Sequence, residues 1–374
     1  MRFATKAIHV GSEPMPPTGT VTPPIYMTST YSQRDQQTYD YARGVNPTRE
    51  ALERNLASLE DATHALAFSS GMGAITTLTT LLKKGDHVVV TDDCYGGVHR
   101  IFTRILSAYG IESTFVDMRD LVDVEDVMGP DTRMVWIESP TNPLLKVLDL
   151  RELAVIAKAH EAISVCDNTF ASPALQNPLK WGVDVVVHSA TKYLGGHADV
   201  LGGALVLNRA DLFDRLKFAQ NAIGAVPSPF DAWLILRGIK TLDVRIERQC
   251  DNAAALAKLL HDHPAVAKVH YPGLPDDEGH RLAAKQMRRF GGMLSFELKD
   301  PRGAVERLRR AQVVLLAESL GGVESLIEHP WSMTHASVPP EQRSRQGITE
   351  ALVRMSVGLE DIDDLTEDVE RILA

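Results

Sequence analysis

Val183-Asp184-Val185-Val186-Val187-His188-Ser189-Ala190-Thr191-Lys192-Tyr193 carries four valines in its first five positions, then two hydroxyls, then a lysine. A short β-branched run bounded by polar residues reads as a strand buried on both faces. Outward from it, comparable runs stand at Ala65–Phe68, His87–Thr91, Thr114–Val116, Met134–Glu138, Ile163–Asp167 and Ala204–Leu207, with helical stretches between them. Strands of this kind alternating with crossover helices predict an α/β fold around a mostly parallel central sheet. In such sheets, ligands bind beyond the carboxyl ends of the strands, so the chemistry is sought in the residues that follow each run.

Residues 11–47 are crowded with Pro14, Pro16, Pro17, Pro23, Pro24 and Pro47, together with threonine and tyrosine. No single regular helix accommodates that spacing, and the segment reads as an ordered arm that reaches across another surface. Asn46 and Pro47 form an N-cap and first-turn pair, predicting a helix to about Leu59. The stretch from Asp231 to Leu260 reads as one long helical spine. Strands at Val266–Tyr271, Met293–Leu298 and Val313–Leu316 follow it, with helices near 302–310 and 363–373, the latter introduced by a cap at Asp361–Asp364. The expected division is an arm at 1–47, a large domain at 48–250 and a smaller C-terminal α/β domain at 251–374.

Four strand endings carry candidate chemistry. Phe68-Ser69-Ser70-Gly71-Met72-Gly73 places small residues at the opening of a helix, where free N–H groups and the helix dipole make a phosphate seat. A plain strand–helix turn explains the same residues. Another reading is a truncated dinucleotide fingerprint with Asp92 as its ribose acid, although Thr76 stands where a third glycine belongs. Asp167 closes an apolar strand in Cys166-Asp167-Asn168-Thr169-Phe170, and a buried anion requires a cation or several donors; an Asp cap on the next turn is the ordinary alternative. Lys192 follows Ser189 and Thr191 at the end of the Val-rich run. Desolvation there lowers an amine's pKa and makes it a nucleophile, whereas most lysines at strand ends are simply solvated. Asn142 is held between Pro140 and Pro143, which suits an orienting contact and equally a structural turn. A phosphate seat, a buried acid and an activated amine on one sheet edge are the parts that pyridoxal phosphate needs.

The ordered motifs YARGVNPTR at 41–49, ESPTNP at 138–143, CDNTF at 166–170, SATKYLGGHADV at 189–200, AESLGGVESL at 317–326 and RMSVGLED at 354–361 resemble the cystathionine γ-lyase and γ-synthase group of pyridoxal-phosphate enzymes. The resemblance runs over essentially the whole chain. It implies the aspartate-aminotransferase-like fold (fold type I of these enzymes), pyridoxal 5'-phosphate as cofactor, and a homotetramer of two active dimers. It assigns Lys192 to the cofactor's aldehyde and to proton transfer, Asp167 to the pyridine nitrogen with Thr169 nearby, and Tyr95 to ring stacking. Gly71, Met72, Ser189 and Thr191 would hold the phosphate, joined by Tyr41 and Arg43 from the neighbouring subunit. Asn142, Ser319 and Arg354 match the carboxylate grip, Thr334 and Glu318 line the substrate side, and Arg100 lies close by. Methionine γ-lyases place a cysteine two residues after the stacking tyrosine, where this chain has Gly97. The stretch Gly224–Pro229 and the acidic Glu318 look more like cystathionine γ-lyases. The expected reaction is γ-elimination of L-cystathionine to cysteine, 2-oxobutanoate and ammonia, with Tyr95 protonating the departing sulfur. Cystathionine γ-synthase is the alternative within the group. A nicotinamide-dependent dehydrogenase and a non-catalytic cofactor-binding protein are alternatives of other classes.

Composition bounds these readings. The 374 residues hold 39 basic and 49 acidic side chains, a net charge of −10 with no long basic run, a poor match to nucleic acid or anionic membranes. Hydrophobic residues make up 44% of the chain, enough for a large core. The three cysteines form no CxxC pair, as expected of a reducing cytoplasm without a thiolate metal site. His261 and His263 lack a third ligand, so no metal is expected. No secretory signal is read before Val10, and Trp181, Trp233 and Trp331 read as packing residues.

Overall fold

The computed structural model describes residues 1–14, 16–34, 38–336 and 338–374. Seven strands form the first sheet: β1 (His64–Phe68), β2 (His87–Thr91), β3 (Glu112–Val116), β4 (Thr132–Glu138), β5 (Ile163–Asp167), β6 (Val185–Ser189) and β7 (Gly203–Leu207). Their order across the sheet is β1-β7-β6-β5-β4-β2-β3. The β3, β2, β4, β5 and β6 strands run parallel, and their valines lie in apolar layers on the two faces.

One run departs from the parallel expectation. β7 is antiparallel to both β6 and β1. The connection from 190 to 202 contains turns but no helix, and without a crossover element the chain returns beside β6 in the opposite sense. At the head of β7, Gly203 pairs with Ser189 on one side and Phe68 on the other. A Cβ there would lie 2.1 Å from the Ser70 carbonyl oxygen. The absence of a side chain at 203 thus lets the phosphate-seat loop pass over the sheet.

The predicted N-cap is present: Asn46 Oδ1 accepts from the N–H groups of Thr48 and Arg49, and the helix runs Pro47–Leu59. An unpredicted short helix, Phe3–His9, opens the arm and is held by Asn55, whose Nδ2 donates to the Val10 carbonyl at 2.7 Å. The expected single spine is two helices, Pro229–Ile239 and Leu242–Asp262. At the break, Arg245 reaches back to Thr241 Oγ1 and the Gly238 carbonyl, and its Nη1 donates to the Tyr193 carbonyl at 2.8 Å. The break thereby fastens the turn that carries Lys192. Along the second helix, Leu242, Ile246 and Cys250 join the core of the first sheet, whereas Ala253, Leu256 and Leu260 join that of the second. The packing partner of this helix thus changes between Cys250 and Ala253.

The second sheet contains β8 (Val266–His270), β9 (Met293–Leu298), β10 (Leu315–Leu316), β11 (Leu326–Glu328) and β12 (Leu352–Ser356), in the order β10-β11-β12-β9-β8. The strand expected at Val313–Leu316 is shortened to its last two residues. The N–H groups of Gln312, Val313 and Val314 are taken by the Asp368 carboxylate at 2.8 Å each, which leaves them none for a ladder. Asp361 caps the helix Ile362–Leu373, accepting from Asp363 N at 3.0 Å.

Replacing Gly203 by Ala forces the Ser70 backbone and β7 apart. The variant is expected to lose about 1–3 kcal/mol of stability, read as a lower urea midpoint. An unchanged midpoint would show that the loop over the sheet yields freely.

Candidate active site

The carboxyl ends of β4, β5 and β6 and the N-terminus of the helix Gly71–Thr79 surround a cavity of about 230 Å³. Ser70 caps that helix, its Oγ accepting from Gly73 N at 3.0 Å. Helical geometry leaves the first-turn N–H groups of Gly71 and Met72 without an intrahelical acceptor. A Cβ on Gly71 would come within 3.1 Å of Ser189 Cβ, so strand end and helix start meet closely enough to cradle a small anion. Thr191, on the same rim, exchanges hydrogen bonds with Gly202.

Asp167 sits on the cavity floor, buried at the end of β5. Burial pushes its carboxyl up, opposed by hydrogen bonds from Thr169. The Thr169 N–H donates to Asp167 Oδ1 at 3.0 Å, and its hydroxyl accepts from Ser189 N at 2.9 Å. Glu138 is its register partner on β4. Burial first, and the Asp167 charge second, hold Glu138 well above the usual carboxylate range. Behind the floor lies a buried pair in which His188 Nε2 meets Glu60 Oε1 at 2.7 Å, an oxygen that also accepts from Asn168 Nδ2.

Lys192 projects from the turn after β6, and its Nζ donates to Ser319 Oγ at 2.8 Å. Burial, reinforced by the nearby Arg354 cation, lowers its pKa from 10.5 to about 8. The desolvated amine expected from the sequence is therefore present. Ser319 holds a φ of +96°, an unfavourable backbone for a residue with a side chain. In this conformation its hydroxyl faces Lys192 while its carbonyl accepts from Arg354 Nη2 at 3.0 Å. Arg354, buried on β12, also donates to Asn142 Oδ1 at 2.8 Å. Residues from both halves of the chain are thus joined around the Arg354 guanidinium. Glu318 and Thr334 complete that wall of the cavity.

Tyr95 stands on the rim, 40% exposed, with its N–H on Glu138 Oε2 at 2.9 Å. A Cβ at Gly97 would lie 2.3 Å from the Tyr95 ring and 2.7 Å from Met72 Sδ. Three predicted residues are outside this cavity. Tyr41 and Arg43 remain on the arm, Arg43 over the Tyr41 ring at 5.7 Å, and neither lines the cavity of its own chain. Arg100, expected close by, ends the helix Gly96–Arg100 and is also absent from the lining, its guanidinium directed back along Gly96. Asp92, the ribose acid of the nicotinamide reading, is instead bound to Lys146 Nζ at 3.1 Å.

Residues 4–374 match the sequence profile described as Cys/Met metabolism PLP-dependent enzyme. The chain belongs to this family. A cystathionine beta-lyase of Coxiella burnetii is 52% identical over 375 residues, covering 99% of this chain and 97% of the relative. A cystathionine gamma-synthase of Mycobacterium bovis is 50% identical over 376 residues, covering 99% and 96% respectively. The crystal structure of a cystathionine gamma-lyase from Lactobacillus plantarum, complexed with L-serine, superposes with a TM-score of 0.97 at 46% identity, covering 100% of this chain and 98% of that one. The fold is the expected fold type I of pyridoxal-phosphate enzymes, and the cofactor is pyridoxal phosphate. The site fits it: a cradle at Gly71 and Ser189 for the phosphate, a buried Asp167 with no salt-bridge partner among the described residues, and a Lys192 amine of lowered pKa. The family sets the dehydrogenase reading aside.

Sequence reasoning missed Ser70 and Glu138 in the lining and Glu328 behind Arg354. Glu138 was visible as a strand ending, but its function depends on being in register with Asp167, which sequence does not display. Because only the neutral amine attacks an aldehyde, covalent capture of pyridoxal phosphate by cofactor-free protein should quicken about tenfold per pH unit up to about pH 8 and then level off. Stopped-flow absorbance measures this; a rate still climbing toward pH 10 would place Lys192 at its ordinary value.

Proposed function

We propose that the protein catalyses γ-elimination of L-cystathionine, as a cytoplasmic homotetramer of two active dimers. The observation that carries this reading is Glu318 in the cavity wall beside Ser319 and Arg354. Cystathionine bears a second, cationic amino-acid head, which a carboxylate there attracts. O-Succinylhomoserine bears an anionic tail, which the same carboxylate repels. The second acid on which that preference could rest, Asp40, stays with the arm, its Oδ1 accepting from Tyr41 N at 2.6 Å.

Pyridoxal phosphate, when bound, supplies an electron sink for charge developing at the substrate's Cα. Arg354 pairs with the α-carboxylate through two parallel N–H donors, and Asn142 and Ser319 fix the guanidinium. Asp167 would hold the cofactor's ring nitrogen in its protonated form, with Thr169 keeping the carboxyl oriented. Gly71, Met72, Ser189 and Thr191 bind the phosphate, and Tyr41 and Arg43 of the neighbouring subunit reach it from outside. With the cofactor bound, the neutral Lys192 Nζ would take the Cα proton, give it up to the cofactor, and so be free again to remove a proton from Cβ. An amine of pKa about 8 is neutral in a useful fraction near neutral pH while still able to return a proton. Tyr95, on the open rim, donates its hydroxyl proton to the leaving sulfur.

The Coxiella relative's name supplies a second reading, cleavage on the other side of the sulfur. Product analysis separates the three activities. Cysteine with 2-oxobutanoate marks γ-elimination, homocysteine with pyruvate marks β-elimination, and cystathionine formed from O-succinylhomoserine plus cysteine marks γ-replacement. Cysteine and 2-oxobutanoate are expected to form fastest, with the preference over O-succinylhomoserine falling about five- to hundredfold in Glu318→Ala, equivalent to about 1–3 kcal/mol. Faster net synthesis of cystathionine than cleavage would overturn the lyase reading.

Subunit mixing tests the trans assignment. Arg43→Ala and Lys192→Ala are each expected to be inactive. Hybrids of the two should recover part of the activity, because one site of each hybrid dimer carries neither defect. No recovery after verified subunit exchange would place Arg43 in its own chain's site.

A further inference from the structure

Glu328 ends β11 directly opposite Arg354 on β12. Its side chain is 1% exposed. Oε1 lies 3.0 Å from Arg354 Nη1 and accepts from Thr334 Oγ1 at 2.8 Å, while Oε2 is buried without a hydrogen-bond partner among the described residues. On its other side, the Arg354 guanidinium donates to Asn142 Oδ1 and to the Ser319 carbonyl. Two hydrogen-bond acceptors and one ion-paired carboxyl group therefore surround the guanidinium. A buried carboxylate is strongly disfavoured unless a cation meets it, and the cation here is the one that faces the substrate.

We propose that Glu328 is a positioning residue for substrate binding, fixing the plane of the Arg354 guanidinium and offsetting its charge so that an incoming carboxylate meets a pre-aimed but weakened cation. The proposal rests on Arg354 being the carboxylate clamp. Its physical sense lies in release as well as capture. Tightening substrate and transition state alike lowers KM without raising kcat, and the product carboxylate must leave the same guanidinium. The electrostatics around the cavity agree. Burial raises the Glu328 carboxyl while Arg354 draws it down, with Glu318 and Lys192 as the other charged neighbours. Lys192 in turn feels Arg354 as a cation and Glu328 and Glu318 as anions.

The test titrates the holoenzyme calorimetrically with butanoate, a monocarboxylate that has neither an amine nor a leaving group. Glu328→Gln keeps an oxygen for the Thr334 hydroxyl and removes the charge. It is expected to bind butanoate about tenfold more tightly than wild type, the scale of one screened charge interaction. Damage to packing alone weakens binding, so equal or weaker affinity overturns the proposal. Arg354→Met is expected to bind butanoate at least about tenfold more weakly than wild type; unchanged affinity there shows that Arg354 is not the clamp and removes the reading beneath the proposal. If Glu328→Gln does not fold, the double variant Arg354→Met/Glu328→Gln removes both charges. A folded double variant shows that the two balance each other, and an unfolded one overturns the proposal.

Discussion

A carboxylate shut inside a sheet must be met by positive charge, and much of this molecule is arranged around that requirement. Asp167 ends β5 in full burial with Glu138 at its side and Glu60 below. Each acid is answered differently. Glu60 has a histidine and two asparagine amides, Glu138 has a backbone N–H and a strong drive to stay protonated, and Asp167 has only Thr169 and the more distant His188. Among the described residues Asp167 is thus the least compensated acid of the floor, which suits it to the cationic ring of the family's cofactor.

The opposite wall depends on bringing residues of the first sheet and of the C-terminal half together. Lys192 stands on a turn of the first sheet, whereas Arg354 and Ser319 belong to the C-terminal half, and their hydrogen bonds join across the cavity. Gly321 makes that approach possible: a Cβ there would fall 2.7 Å from the Tyr193 backbone nitrogen. On its other flank the same turn is fastened by Arg245 from the helical break. The lysine is thus fixed by backbone contacts on two sides, and its amine is positioned before any ligand binds.

Most of the first sheet was legible because its strands are short, nearly continuous apolar runs, several of them rich in valine, and helix Pro47–Leu59 was legible because Asn46 and Pro47 are local signals. Features that depend on distant partners were not. The reversal of β7 follows from a helix-free connection, the interruption of the spine from Gly238 and Arg245 meeting the Lys192 turn, and the shortening of β10 from a carboxylate more than fifty residues away. β11 escaped notice because its three residues are too few to show a period, and β12, as long as most strands of the first sheet, because Arg354 interrupts its apolar run. In the site, residues at strand ends could be named from sequence since their place follows from topology. Glu328 could not, because its importance comes from a cross-strand neighbour. Arg100 was attached by likeness of motif alone; it stands beside Gly96, outside the cavity lining.

The crowding at Gly97 bears on how such a site can change over generations. With Tyr95 on one side and Met72 on the other, position 97 has no room for even a methyl group. Any larger residue there obliges the tyrosine ring, the methionine or both to move first. Variation at these three positions is thus coupled: a side chain at 97 sets a new rotamer for the exposed Tyr95 ring and the flexible Met72 tip, so changing position 97 also reshapes the rim of the pocket.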